Sequence, residues 1–114
     1  MKCYLSIFLM LIVLTLTTCS KRPEGSPAAN EIWLEYKLFN PSQITVTAGT
    51  TVKFINKDNA NHSATNVNGL FDSGKITSGN SFSYTFSTPG SYGFSCKYHS
   101  SGSGGGEQGY INVQ

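Results

Sequence analysis

The sequence predicts an all-β domain, a sandwich or barrel built from short antiparallel strands. Apolar residues recur at every second position in several segments, as Phe82, Tyr84 and Phe86 do in SFSYTFS. No segment after residue 30 shows the 3.6-residue apolar period of an amphipathic helix. Turn signals such as Pro89-Gly90 separate the candidate strands. We therefore expect little helix.

The candidate strands are short segments rich in β-branched and aromatic residues. In chain order they are EIWLEYKLF (31–39), ITV (44–46), TVKFIN (51–56), SFSYTFS (81–87), SYGFSC (91–96) and INV (111–113). The first is predicted to be a single strand, because the alternation that begins at Ile32 continues without interruption to Leu38. In SYGFSC, Cys96 falls in step with Tyr92 and Phe94, which predicts an inward-facing thiol near the end of the strand.

The size and charge of the chain limit the number of domains it can form and the kinds of partner it can bind. Its 114 residues allow one domain and no second catalytic module. With 39% hydrophobic and 12% charged residues, the chain is apolar enough to fold around a core. The net charge of +2 and the lack of any Lys/Arg run exclude nucleic acid as a partner. We expect a monomeric domain.

Residues 1–19 are predicted to be a signal peptide of the lipoprotein type. Lys2 supplies a positive start, and the apolar run LSIFLMLIVLTL (5–16) is shorter than the roughly 20 residues of a spanning helix. The following L-T-T-C resembles a bacterial lipobox ending at Cys19, although Thr18 stands where Gly, Ala or Ser is usual. We therefore expect a protein of the bacterial periplasm or cell surface, anchored to the membrane through lipidated Cys19.

The predicted leader is followed by a tether and one folded domain. SKRPEGSPAAN (20–30) is polar, contains two prolines and has no periodicity, which is typical of a flexible linker. The domain is predicted to span residues 31–114.

The cysteines and histidines point to a metal. Cys3 lies in the predicted leader and Cys19 at its end, so Cys96 is left without a partner for a disulfide. His99 follows at a C-x2-H spacing, and the only other histidine, His62, lies in the polar segment NKDNANHSATN between two candidate strands. One thiolate with two imidazoles at one pole of a sandwich is the donor set that selects copper. Zinc is the rival metal, but its structural sites usually take four strong protein ligands, often with more than one cysteine.

The sequence also resembles the cupredoxins (small blue copper proteins), in particular the plastocyanin, amicyanin and pseudoazurin group. The resemblance runs through FNPSQITVTAGTTVKFINKDNANHSATN (39–66), LFDSGKITSGNSFSYTFSTPGSYGFSCKYH (70–99) and GYINV (109–113). It implies a cupredoxin-like Greek-key β-sandwich that holds one copper ion, cycling between copper(I) and copper(II). The positions that match the family's ligands are His62, Cys96 and His99.

The fourth ligand departs from the family pattern. The axial methionine of the family typically stands two residues before the glycine that opens the last strand, and that place is held here by Glu107. The two methionines, Met1 and Met10, both lie in the predicted leader. Glu107 is therefore the predicted axial ligand. Gln108 is the alternative if the alignment slips by one residue, and a copper site of only three protein ligands is another.

By resemblance, the expected function is one-electron transfer between redox partner proteins, such as a cytochrome, an oxidase or a reductase. The alternative is a periplasmic protein that handles or senses copper, with the glycine-rich loop allowing uptake and release. An enzyme is not expected, because copper oxidases and nitrite reductases of related fold need further histidines and this chain has only two.

Overall fold

The computed structural model describes residues 25–35, 38–99 and 107–114. Within these ranges the chain forms strands, turns and bends but no helix, and so no described helix is long and apolar enough to cross a membrane. The predicted signal peptide (1–19) and the first part of the predicted tether (20–24) lie outside the described residues.

The described residues form two sheets of four strands each. The strands are β1 (Glu31–Glu35), β2 (Leu38–Asn40), β3 (Gln43–Val46), β4 (Thr50–Asn56), β5 (Thr65–Asn66), β6 (Ser81–Phe86), β7 (Gly90–Ser95) and β8 (Gln108–Val113). Their order is β2-β1-β4-β6 in the first sheet and β3-β8-β7-β5 in the second. The predicted all-β fold is confirmed.

Both sheets are mixed, whereas the sequence pattern predicted antiparallel strands only. β1 lies parallel to β4, and β3 lies parallel to β8. The chain passes from β2 in the first sheet to β3 in the second and back to β4, so neighbours within a sheet are often distant in sequence. The period of two identifies a strand but says nothing about its partner, and for this reason the parallel pairs were not predicted.

The segment EIWLEYKLF is an antiparallel hairpin and not the single strand that its alternation predicted. Glu35 pairs with Leu38, and Leu34 pairs with Phe39, across β1 and β2. The reversal changes the phase of the second half, so that Phe39 is buried while Leu38 is exposed. Trp33, on the other face of β1, is covered by Lys57, whose Nζ lies 4.6 Å from the ring centroid.

The core lies between the two sheets and is rich in aromatic rings. Its buried members are Ile32, Leu34, Phe39, Ile44, Val46, Val52, Phe54, Ala64, Phe71, Ile76, Phe86, Phe94, Cys96, Ile111 and Val113. Phe54 of the first sheet packs edge-on against Phe94 of the second, with ring centroids 5.2 Å apart. Such a contact contributes about 0.5–1.5 kcal/mol beyond its buried area. Because Phe94 lies two residues before Cys96 on the same face, this packing fixes the end of β7 at which the thiol lies.

Candidate metal centre

Cys96 and Glu107 occupy facing positions where β7 ends and β8 begins. Ser95 pairs with Gln108 as the last pair of the antiparallel β7–β8 ladder. The ladder continues by one more hydrogen bond, since the amide of Cys96 donates to the carbonyl of Glu107 at 3.1 Å. Both side chains are buried. Residues directly opposite in a ladder have Cβ atoms about 4.5–5.5 Å apart, and this explains why thiol and carboxylate meet.

His62 reaches the same place from the segment between β4 and β5. Its amide donates to the carbonyl of Ile76 at 3.1 Å, and its carbonyl accepts from the amide of Ile76 at 2.7 Å. This isolated bridge fixes the backbone of a residue that lies outside the named strands. The ring is completely buried, and its Nδ1 faces Glu107 Oε2 at 3.1 Å.

His99 completes the cluster from the turn after β7. Its Nδ1 lies 3.6 Å from the Sγ of Cys96 and 3.3 Å from Oε2 of Glu107. The ring centroids of His99 and His62 are 4.9 Å apart. Unlike His62, His99 is half-buried, with 19% of its side chain exposed.

The donor atoms converge tightly enough for a single metal ion. One ligand atom from each of His62, Cys96, His99 and Glu107 lies within 4.8 Å of the other three. Metal–ligand bonds of about 2.0–2.3 Å to nitrogen, oxygen and sulfur place ligand atoms at such separations. A further sign is that Oε1 of Glu107 is buried without a hydrogen-bond partner among the described residues. Buried carboxylate oxygens are rarely left unpaired, and a cation would satisfy this one. These residues fit a metal ion.

The electrostatics of the cluster suit a cation as well. Burial raises the pKa of the Cys96 thiol, and the hydrogen bond with the Glu107 carboxylate raises it further. The amide of Ser63, which donates to Sγ at 3.4 Å, opposes this rise in the pKa. A thiol held in its neutral form beside a carboxylate is converted to a thiolate when a cation binds, because the positive charge outweighs both effects.

The two alternatives for the fourth donor differ in burial. Glu107 is 3% exposed and its carboxylate faces both histidines. Gln108 is exposed and pairs with Ser95 as the first residue of β8. The described geometry therefore favours Glu107 over Gln108.

One residue of the site was not found from the sequence: Oδ2 of Asp58 lies 2.9 Å from Nε2 of His62. The residue after His62, Ser63, accepts a hydrogen bond at its hydroxyl from the amide of Lys97 at 2.9 Å. The only available signal was that Asp58 precedes His62 by four residues in one polar loop. That spacing is not diagnostic outside a helix.

A β-sandwich that brings one thiol and two imidazoles together at one pole has the donor set of a copper-binding protein, here with a carboxylate in addition. Comparison with known sequences agrees. The chain belongs to the cupredoxin-like domain family, whose sequence model matches residues 7–105. It is also 32% identical over 93 residues to plastocyanin from Scenedesmus fuscus, covering 68% of this chain and 87% of that protein. Cupredoxins bind one copper ion, so the predicted cofactor is confirmed.

Solved structures show the same fold. The purple cupredoxin from Nitrosopumilus maritimus superposes with a TM-score of 0.64 at 24% identity, covering 74% of this chain and 98% of that one. An oxidised amicyanin variant superposes with a TM-score of 0.67 at 21% identity, covering 80% of this chain and 87% of that one. The predicted resemblance to the cupredoxins, and the Greek-key sandwich it implied, are confirmed.

Proposed function

We propose that this protein is a mononuclear copper protein that carries single electrons, with His62, Cys96, His99 and Glu107 as the copper ligands. The observation that carries the proposal is the convergence of these four donors within 4.8 Å around a buried centre. Copper bound there supplies the one-electron copper(II)/copper(I) couple. A fixed donor set of this kind lowers the reorganisation that accompanies each electron transfer.

The burial of the ligands supports electron transfer over metal handling. His62 and Cys96 are fully buried and Glu107 nearly so, which suits retention of the metal. His99 alone reaches the surface, with 19% of its side chain exposed. Its ring edge is therefore the proposed port through which electrons enter and leave. The proposed partners are redox proteins, such as a cytochrome, an oxidase or a reductase.

The test is a copper(II) titration of the purified protein followed by visible absorption. We expect one copper per chain and an intense thiolate-to-copper(II) charge-transfer band. Cys96→Ser should abolish the band, whereas the same substitution at Cys19 should leave it intact. A wild-type protein that stays colourless through the titration would overturn the proposal. Rapid electron self-exchange together with tight copper retention would separate an electron carrier from a copper-handling protein.

The proposed location is the bacterial periplasm or cell surface, with a lipid anchor at Cys19. The support is the sequence alone: the apolar run at residues 5–16, the L-T-T-C that follows it, and the polar segment 20–30. A membrane-tethered carrier would meet membrane-bound partners at high effective concentration.

A further inference from the structure

His62 uses both of its ring nitrogens. Nδ1 faces the metal centre, 3.1 Å from Oε2 of Glu107, while Nε2 lies 2.9 Å from Oδ2 of Asp58. Because the ring is completely buried, water does not solvate Nε2. Its polar hydrogen therefore depends on Asp58, and an unpaired buried donor would be costly.

Asp58 is itself held in place by its own loop. Its amide donates to Oδ1 of Asn56 at 2.8 Å, and its Oδ1 accepts from the amide of Asn59 at 2.7 Å. The second carboxylate oxygen is thus left for His62. The side-chain amide of Asn56 donates to the carbonyls of Ala60 and Ile76, both at 2.8 Å. The buried Asn56 therefore fixes the turn that carries Asp58.

The two histidines of the centre differ in this respect. Among the described residues, Nε2 of His99 has no hydrogen-bond partner, and only its Nδ1 makes polar contacts. Among the described residues, a carboxylate at Nε2 is therefore a feature of His62, the buried ligand, and not of His99. A metal-ligating histidine that donates its other N–H to a carboxylate is fixed in tautomer and orientation and becomes a stronger donor.

We propose that Asp58 is a positioning residue that keeps His62 in the Nε2-protonated tautomer, directs the Nδ1 lone pair at the metal, and favours copper(II) over copper(I) through its negative charge. The inference rests on the proposed role of His62 as a copper ligand. Two observations support it. Oδ2 of Asp58 lies 2.9 Å from Nε2 of the buried His62 ring, and the other carboxylate oxygen is held by the amide of Asn59. A carboxylate is a stronger acceptor than a neutral amide or a carbonyl.

The test compares Asp58→Asn and Asp58→Ala with Asp72→Asn. The first keeps a neutral acceptor, the second removes the acceptor, and the third makes the same charge change at a carboxylate that pairs with Lys97 and contacts no histidine. We expect copper(II) affinity to fall about 10–100-fold in Asp58→Ala and less in Asp58→Asn. If the copper(II) affinity falls by a factor ten times larger than the copper(I) affinity, the reduction potential rises by about 59 mV. Asp72→Asn should change neither the copper affinities nor the reduction potential.

The second readout is the nitrogen-15 NMR spectrum of the histidine rings in the copper(I)-loaded protein. Wild type should show His62 protonated at Nε2, with slow exchange of that proton, and Asp58→Ala should show fast exchange or the other tautomer. If Asp58→Ala does not fold, as judged by the melting temperature of the metal-free protein, Asp58→Asn gives the answer, because it preserves the shape of the site.

The outcomes separate the two proposals. One outcome is that wild type binds copper with a thiolate band while both Asp58 variants have the same reduction potential as Asp72→Asn and the same His62 NMR signals as wild type. In that case only the role of Asp58 is overturned. If wild type does not bind copper, the proposed function fails, and this inference fails with it.

Discussion

The ring of Phe94 lies directly against the backbone of Gly109. A Cβ atom built on Gly109 would be 2.4 Å from Cζ of Phe94 and 2.5 Å from the carbonyl oxygen of Ser42. No side chain fits between these two groups, so only glycine can occupy this position. The contact fixes the start of β8 against the core, and hence the place of Glu107 two residues earlier.

Gly109→Ala is therefore expected to lower the free energy of unfolding by about 1–3 kcal/mol or more, because a buried ring and a backbone carbonyl must both move. Gly93→Ala is the matched control. Its Cβ would meet Cγ2 of Val67 at 3.2 Å, and the exposed Val67 side chain can rotate away. Thermal unfolding of both variants makes the comparison. If Gly109→Ala and Gly93→Ala have equal melting temperatures, the contact between Phe94 and Gly109 does not hold the start of β8 in place.

The Glu107 carboxylate is expected to set the reduction potential. Glu107→Met replaces an oxygen donor by a soft thioether, which favours copper(I), so the potential should rise and the spectrum should move toward an ordinary blue site. Each tenfold preferential loss of copper(II) affinity raises the potential by about 59 mV. Glu107→Gln should give a smaller rise. Voltammetry and visible spectroscopy of the two variants measure both effects.

Gln108→Ala is the control for the Glu107 series, since Gln108 is exposed and lies in β8. We expect it to leave potential and colour unchanged. A large change in this variant, with a small one in Glu107→Met, would make Gln108 the donor. If neither residue responds, copper is held by three protein ligands.

Much of the fold was predictable because its strands are half-buried. In β6, Phe82, Tyr84 and Phe86 face the core as the alternation predicted. The β1–β2 reversal was missed because no Gly, Pro, Asn or Asp lies between Glu35 and Leu38 to mark a turn. Sheet partners also escaped prediction, since pairing between strands distant in sequence leaves no local pattern.

The site was predictable to the extent that rare residues mark it. With one cysteine outside the predicted leader and only two histidines in the chain, the cluster of Cys96, His62 and His99 followed from strand phase and resemblance. The structure brings these three together with Glu107. Asp58 was not predictable, because its role depends on the turn that Asn56 holds, and an aspartate in a polar loop is ordinary.

The ion pair between Asp72 and Lys97 is expected to give a small stability term that depends on pH. The hydrogen bond with Lys97 lowers the pKa of the Asp72 carboxyl, and the amide of Gly74 lowers it further. Because the folded-state pKa lies below the unfolded one, the stabilisation is present above the ordinary aspartate range and is lost as pH falls through the folded value. Both side chains are about half exposed, so the contribution is less than about 1 kcal/mol.

The measurement for this pair is the melting temperature of wild type and Asp72→Asn against pH. The variant should be less stable at pH 7, by an amount that shrinks in high salt. The two curves should merge at low pH. If the melting temperatures of wild type and Asp72→Asn still differ at a pH where the carboxyl is protonated, the ion pair is not the source of the difference.

Cys19→Ser tests the proposed lipid anchor. If L-T-T-C is a functional lipobox, the variant should accumulate as an uncleaved precursor or leave the membrane fraction, because the two acyl chains of a diacyl modification are what make anchoring stable. Fractionation of cells and mass spectrometry of the mature N-terminus make the measurement. An unmodified wild-type chain that begins after Cys19 would contradict the anchor and leave the metal centre unaffected.

Ser63 is expected to hold the turn that follows Cys96 without changing the visible spectrum of the site. Its amide donates to Sγ of Cys96 at 3.4 Å, and its hydroxyl accepts from the amide of Lys97 at 2.9 Å. Ser63→Ala removes the hydroxyl only and leaves the Lys97 amide without this partner. Such a loss costs about 1–3 kcal/mol for a fully buried group, and because this hydrogen bond is only part-buried, we expect a cost of about 1 kcal/mol or less. The amide–sulfur contact is retained, so the charge-transfer band should stay close to its wild-type energy.

Thermal unfolding and the visible spectrum of Ser63→Ala check the two halves of this prediction, with Thr65→Val as the control. Thr65 places its hydroxyl 3.1 Å from that of Ser63 but makes no hydrogen bond to the Cys96–Lys97 segment. Thr65→Val should therefore cost less stability. A band shift in Ser63→Ala as large as that of Glu107→Gln would contradict the prediction, since it would mean that the hydroxyl controls the geometry at the sulfur and not only the turn that follows it.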